Sequence, residues 1–363
     1  MPNKEFLNFL EVTSKKVSDY ILNSDIIDYL KPDHIKESVL AYLKRPSKRL
    51  RPAILLLSCG SVGGDEEKAI SAAAGVELFH TWTLVHDDVI DNDDLRRGQA
   101  TVHRMMKEKG LHEMNLSESK AAEYGRDIAI LAGDVQHGWS TALFIDCAMK
   151  HGVHPNVVLT ILRYLQTYIL NMLLYGEVLD VQLSLQKKDI SLITEEDIIY
   201  MLWLKTGVLY EFSSIAGAMI GKNTEDLHDM EIQALKHFTG NCGIAFQLQD
   251  DILGLIGDEK ILGKPVGSDI REGKKTTILL HALQHASKIQ REKLLQIIGN
   301  QDATAEEFEA VKQILIDLGG VKYTNHLAQK YIRKALPNLE VLPENRYKRW
   351  LKDWAEFMID RNF

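Results

Sequence analysis

Residues 84–98 read LVHDDVIDNDDLRRG, an acidic cluster that runs directly into paired arginines. On a helix Asp87 and Asp91 stand at i,i+4, and Asp88 and Asp91 at i,i+3, so the spacing lines three carboxylates along one edge. Such crowding raises the energy unless a cation relieves it. Magnesium suits the arrangement, because it keeps several waters and is usually held by one or two carboxylates plus phosphate oxygens. Arg96 and Arg97 supply the cations that a phosphate would need. The same plan recurs at 246–277, FQLQDDILGLIGDEKILGKPVGSDIREGKKTT, where Gln247, Asp250 and Asp251 precede Lys264, Lys274 and Lys275. Two walls of one cavity facing a metal-diphosphate complex are implied.

The surroundings read as helix. Only eight prolines occur, and none lies between Pro52 and Pro155 or between Pro155 and Pro265, intervals rich in Leu, Ile, Ala, Glu and Lys. Thr194 followed by Asp197 resembles a capping box with Asp in place of Glu. It opens the run DIIYMLWLKTGVLYEFSSIAGAMIG at 197–221, apolar around most of its circumference and therefore expected to be central. Gly60 to Gly64, Gly221 to Asn223 and the pair Gly319-Gly320 read as helix ends. The polar stretch 107–125 reads as a loop, with Asn115 or Ser117 capping the next helix. The expectation is one all-α domain over 1–363.

At 363 residues and 45% apolar content the chain can bury a sizeable core. A net charge of -8 argues against general nucleic-acid binding, since the basic residues form local clusters on an acidic background. Cys59, Cys147 and Cys242 show no metal-type spacing and fit buried thiols in a reducing compartment. No N-terminal apolar signal stands out, and no run reaches membrane-span length without charged or polar residues. A cytoplasmic protein with no membrane span is expected.

Beyond the aspartates, RPSKRLRPAILLLSC at 45–59 puts Lys48, Arg49 and Arg51 just before Pro52, a residue favoured in a first helical turn. Free backbone N–H groups and cations converge there as an anion site. His80 lies two turns before Asp87 on nearly the same face and is placed to donate to a second phosphate. Lys205 sits in an apolar helix, where an unpaired ammonium is expensive, so it is expected to meet an anion in a cavity. The basic run REGKK at 271–275 is equally explained as a solvated loop.

With these segments in hand, the sequence resembles the trans-prenyltransferases, the head-to-tail isoprenyl diphosphate synthases, from Lys48 to the C-terminus. SKRLRP (47–52), HTWTLVHDDVID with DLRRG (80–98), GEVLDVQ (176–182), KTG (205–207) and FQLQDDILG with GKPVGSD (246–269) appear in the family's order. The resemblance implies a bundle of long antiparallel helices around a deep cavity and a homodimer. It implies that Lys48, Arg51, His80 and Arg97 contact isopentenyl diphosphate, while Arg96, Lys205, Thr206, Gln247, Lys264 and Lys274 contact the allylic diphosphate. Asp87, Asp88, Asp91, Asp250 and Asp251 would hold or organise several magnesium ions. Two departures stand out: Pro46-Ser47 replaces the usual Gly-Gly, and Gly254 stands where many members have a third Asp, with Asp258 one turn further on.

The implied chemistry ionises the allylic diphosphate, after which the isopentenyl double bond attacks the cation and a proton is lost. No nucleophilic side chain is needed, only positioning, charge and exclusion of water. A terpene cyclase shares the fold but would not need Lys48, Arg51 and His80. An HD-type phosphohydrolase reading of His86-Asp87 leaves the repeated aspartates unexplained, and a non-catalytic subunit of a heteromeric synthase usually loses an aspartate motif. For product length, Phe79, Trp82, Thr83 and His86 follow i+3 and i+4 spacings and read as one side wall for the growing tail. Trp82 lies roughly 7 to 8 Å below Asp87 and Phe79 about 12 Å below it. In the family a large residue five positions before the motif with a small one at the fourth accompanies geranylgeranyl products. Trp82 with Thr83 therefore points to geranylgeranyl diphosphate, with farnesyl diphosphate next.

Overall fold

The computed structural model describes residues 3–185, 192–257, 267–300 and 302–359. In chain order its α-helices are α1 (Lys4–Leu22), α2 (Asp33–Leu40), α3 (Leu50–Ser61), α4 (Ile70–Ile90), α5 (Val102–Glu113), α6 (Glu118–His151), α7 (Pro155–Tyr164), α8 (Leu170–Leu185), α9 (Glu195–Leu202), α10 (Val208–Lys222) and α11 (Met230–Ile256). The C-terminal part adds α12 (Ser268–Glu272), α13 (Thr277–His285), α14 (Lys288–Ile297), α15 (Ala305–Asp317), α16 (Gly320–Ala335) and α17 (Arg346–Ile359). The all-α expectation holds, apart from one short hairpin, β1 (Leu95–Arg96) with β2 (Gln99–Ala100). Its turn residues Arg97 and Gly98 both have positive φ, the geometry of a tight two-residue hairpin turn.

Helix α4 packs along α6, α3 along α10, and α11 against α10 and α16. The main core links these helices through fully buried side chains such as Phe79, Phe144, Phe212, Tyr210 and Trp354. A second cluster, including Ile278, Leu279, Leu294 and Val311, joins α13, α14 and α15. Thr194 and Asp197 form the capping box read from the sequence, and the helix they open runs to Lys222. That helix is interrupted by one π-helical turn, Trp203–Gly207. A second π-turn, Leu165–Ile169, joins α7 to α8.

The structure corrects one sequence expectation. Most of 107–125 is helical: α5 runs to Glu113 and α6 starts at Glu118, with Ser117 at the N-cap position but making no side-chain cap bond. Its polarity is that of a solvent-facing helix laced by ion pairs, Lys109 with Glu113 at 3.0 Å and Lys120 with Glu123 at 2.6 Å. The continuous helix Pro155–Leu185 is long and apolar enough, by length and composition, to cross a membrane, and 39% of its apolar window is buried. Its outward face carries Leu174, Tyr175 and Val178 exposed.

Candidate active site

A cavity of about 760 Å³ opens among α3, α4, α8, α10 and α11, and both aspartate segments line it. Helix α4 ends at Ile90, so Asp87 sits in its last turn and Asp91 at the C-cap, tied back by its N–H to the Asp87 carbonyl at 2.8 Å. Both carboxylates reach the cavity. Asp88, one residue on and about 100° around the helix, does not. It is 1% exposed, takes the Tyr42 hydroxyl on one oxygen and Arg96 on the other at 2.6 Å. In this arrangement Asp88 fixes Arg96, whose guanidinium also reaches Asp87 at 3.4 Å, so any part it takes in organising metal runs through Arg96. The hairpin that presents Arg96 is latched from behind by Arg45, which donates to the carbonyls of Arg96 and Ala100 at 3.3 and 2.7 Å.

Across the cavity Lys205 gathers three carboxylates: Asp180 at 2.7 Å, Glu177 at 3.0 Å and Asp87 at 3.3 Å. The ammonium is thus not unpaired. Burial opposes its charge, but these three anions outweigh that and hold its pKa above the usual lysine range. Burial likewise opposes ionisation of Asp87, yet Lys205, Arg96 and Lys274 bring its pKa down to about 2. Glu177 shows the opposite balance, with burial pushing it up to about 7 despite Lys205. Next in the chain, the Thr206 hydroxyl donates to Gln247 Oε1 at 2.9 Å, and Gln247 Nε2 donates to Asp251 at 3.2 Å. Burial, with Asp269 and Asp250 nearby, raises the Asp251 pKa well above the usual carboxylate range.

The second wall closes through α12. Lys274 stands 3.3 Å from Asp91 and 2.9 Å from Glu272, so it bridges the two aspartate segments. At Gly254 a side chain would place its Cβ 3.0 Å from Asp269 Oδ2. The carboxylate of Asp269 thus occupies the neighbourhood in which the sequence lacks a third Asp. Lys264, Asp258 and Pro265 lie outside the described residues.

A second charged region of the same cavity is built from arginines. Arg49 takes a left-handed backbone conformation, φ 44°, at the start of α3 and turns inward, 4% exposed, to pair with the buried Glu77 of α4. It also donates to the Leu43 carbonyl at 2.8 Å. Lys48 and Arg51 line the cavity beside this pair. Lys48 lies over the Phe357 ring of α17 at 5.0 Å, and Arg51 over the Tyr210 ring at 4.6 Å. Arg51 also donates to His80 Nε2 at 2.8 Å, so that nitrogen accepts instead of facing a phosphate as donor. Burial and then Arg51, Arg97, Arg96 and Arg49 hold His80 well below the usual histidine range, and the ring is neutral. His80 is an orienter of Arg51 in this arrangement.

Below Asp87 the floor is aromatic. Trp82, Thr83 and His86 line the cavity, whereas Phe79 is fully buried behind Trp82 at a ring separation of 5.0 Å. The expected single wall is therefore two layers deep. The Trp82 indole donates to His86 Nδ1 at 3.1 Å, and His86 Nε2 donates to the Ile130 carbonyl at 3.0 Å. His137 of α6 stacks at 4.8 Å from Trp82 and 5.6 Å from Phe79, and is itself held by Gln166 at 3.1 Å.

The residues fit magnesium shared with phosphate. Asp87 Oδ1 and Glu177 Oε1 are buried without a well-formed hydrogen bond, Lys205 standing 3.3 Å from the former. Among the described residues no three His, Cys, Asp or Glu side chains close on one point as a protein-only cage would. Carboxylates set on opposite walls suit an ion that completes its shell with phosphate and water. Tyr42, Glu77, Glu177, Asp180, His137 and Asp269 are not singled out by sequence reasoning. Only Glu177, Asp180 and Asp269 leave a signal there, inside GEVLDVQ and GKPVGSD.

The polyprenyl synthetase family matches residues 32–315. A geranylgeranyl diphosphate synthase of Saccharolobus solfataricus is 37% identical over 317 residues, 86% of each chain. The crystal structure of a geranylgeranyl pyrophosphate synthetase from Pyrococcus horikoshii superposes with a TM-score of 0.80 at 31% identity, over 99% of both chains. A geranylgeranyl pyrophosphate synthase from Corynebacterium glutamicum, complexed with isoprenyl diphosphate and magnesium, gives 0.81 at 25% identity, over 98% of this chain and 99% of that one. With two aspartate walls and an arginine pocket on one helix-lined cavity, the chain belongs to the polyprenyl synthetase family and is a prenyltransferase.

Proposed function

We propose that the chain is a short-chain trans-prenyl diphosphate synthase, which joins isopentenyl diphosphate head-to-tail to dimethylallyl, geranyl or farnesyl diphosphate. The observation that supports it is the division of one cavity into a carboxylate-and-lysine region and an arginine region, with an aromatic floor below the first. Two different anionic substrates are thereby accommodated side by side. A terpene cyclase, with one diphosphate to hold, has no use for the second region.

In this reading Asp87, Asp91, Asp250 and Asp251 hold magnesium, with Arg96, Lys205, Lys274 and, through hydrogen bonds, Thr206 and Gln247 completing the allylic diphosphate site. Lys264 belongs to the same proposal. When bound, magnesium neutralises the diphosphate and makes it a leaving group. Lys205 and Arg96, already beside Asp87, hold the charge that develops as the allylic C–O bond breaks. Lys48, Arg51 and Arg97 anchor isopentenyl diphosphate so that its double bond meets the allylic cation, and His80 keeps Arg51 aimed. Loss of a proton then restores an allylic diphosphate one isoprene unit longer. The buried indole of Trp82, backed by Phe79 and His137, limits the tail, and geranylgeranyl diphosphate is the proposed product with farnesyl diphosphate the alternative.

The exposed apolar side chains Ile130, Leu131 and Ile145 support a homodimer through this face of α6. The proposed location is the cytoplasm. Mass spectrometry of products made from isopentenyl diphosphate and each allylic primer with magnesium tests the whole reading. Release of a hydrocarbon from farnesyl or geranylgeranyl diphosphate alone would overturn it.

A further inference from the structure

Lys205 and Thr206 both lie in the π-turn Trp203–Gly207, which the Val208 N–H closes on the Trp203 carbonyl. A π-turn inserts one residue relative to an α-helix, so it rotates the residues after it by about 100° around the axis. The insertion decides which residues of the helix 195–222 face the cavity. Lys205, Thr206, Leu209 and Tyr210 do so; Trp203 and Glu211 do not. Such turns are unfavourable in isolation and persist where packing determines them.

Here the packing is close on two sides. A Cβ at Gly176 of α8 would stand 2.6 Å from the Lys205 backbone nitrogen, and one at Gly243 of α11 would stand 2.7 Å from the Gly207 Cα. Away from the cavity, among the described residues, the turn is spanned by a single side-chain polar contact. The Trp203 indole N–H donates at 2.7 Å to the Glu211 carboxyl, two helical turns further on. Glu211 is 6% exposed, and a Cβ at Gly240 would stand 2.2 Å from its Oε1. Among the described residues no other side chain hydrogen-bonds to this carboxyl. Burying it costs free energy that an apolar residue would not, so its presence calls for a specific gain.

We infer that the Trp203–Glu211 pair is a positioning clasp that fixes the register of the π-turn and so aims Lys205 and Thr206 into the allylic site. Through Lys205 it acts on Asp87, and through Thr206 and Gln247 on Asp251, so one contact outside the cavity sets both aspartate walls. Neither residue touches substrate. The inference rests on the synthase reading above, and turnover by the unaltered chain tests that reading separately.

The test compares Trp203→Phe, which keeps a ring against Tyr200 but loses the N–H, with Glu211→Leu and Glu211→Gln. Trp203→Phe and Glu211→Leu are expected to raise the KM for the allylic diphosphate and lower kcat, each by about tenfold, with the KM for isopentenyl diphosphate within about twofold. Glu211→Gln keeps a carbonyl acceptor and is expected to recover most of the loss. Should Glu211→Leu fail to fold, Trp203→Phe against Glu211→Gln decides. Unchanged kinetics in Trp203→Phe, a parallel rise in both KM values, or a Gln variant as impaired as Trp203→Phe would each overturn the clasp.

Discussion

In the proposed reading, the two charged regions of the cavity solve one problem, holding a diphosphate, with opposite chemistry. Around Lys205 the protein supplies more anion than cation: Asp87, Glu177 and Asp180 around one ammonium, with Asp91 and Glu272 around Lys274. Around Arg51 it supplies more cation than anion, with Glu77 the buried carboxylate facing Arg49 and felt by Arg97. An anionic substrate enters the first region only with added positive charge and enters the second directly. In the proposed reading, metal dependence therefore belongs to one substrate and not to the molecule at large. This division also matches the chemistry, because only the allylic diphosphate has to leave.

The contrast is most vulnerable at the aspartates. Asp87→Ala or Asp250→Ala should lower turnover by on the order of 10³, since charge stabilisation at the leaving group is lost. Far-ultraviolet circular dichroism should stay helical, and near-normal turnover in either variant would sink the assignment. Chelation of magnesium separates the two regions further. Calorimetric affinity for a non-reactive allylic diphosphate analogue should collapse, while affinity for isopentenyl diphosphate should hold within a few-fold. On the arginine side, Arg51→Ala removes a charge-assisted contact of about 1.5–3 kcal/mol. The KM for isopentenyl diphosphate should therefore rise roughly 10- to 100-fold, well beyond any change for the allylic substrate.

A smaller effect is expected at the floor. Replacing Trp82 and Phe79 together by Ala removes both layers, and the product spectrum should shift to longer chains at similar turnover. An unaltered product distribution would place the stop elsewhere.

The smallest effect concerns a carboxyl outside both regions. Burial raises Glu211 to about 7, with the Trp203 bond and Lys236 opposing. A folded pKa above the usual 4.5 contributes stability that is fully present below that value and lost as pH rises through the folded pKa. Between about pH 5 and 7 unfolding free energy should fall by about 2 kcal/mol from this group, and Glu211→Gln should flatten that slope in denaturant titrations.

Much of the site is legible in the sequence because its chemistry repeats locally. Asp87 and Asp91 share a helix edge whatever lies around them, and the Thr194–Asp197 cap marks its helix with two reciprocal hydrogen bonds. Contacts between distant segments are not legible. Nothing near Asp88 says that Tyr42, 46 residues earlier, takes its second oxygen. Nothing near Trp203 says that the turn packs closely against Gly176 and Gly243 on other helices. The stretch 107–125 reads as a loop and folds as helix because polarity alone does not separate a loop from an exposed helix face.

One glycine ties the floor to the outside of the molecule. At Gly133 of α6 a Cβ would stand 2.1 Å from His86 Nε2, the nitrogen bonded to the Ile130 carbonyl, and His86 in turn receives the Trp82 indole. A single added methyl at this position displaces the imidazole and tilts the indole without touching substrate. Ile130 also belongs to the apolar face proposed to meet a second copy. In the proposed reading, product length is thus open to selection from two directions, inside the channel and on the surface proposed to meet a second copy, and a lineage can change its lipid without altering any residue that binds diphosphate.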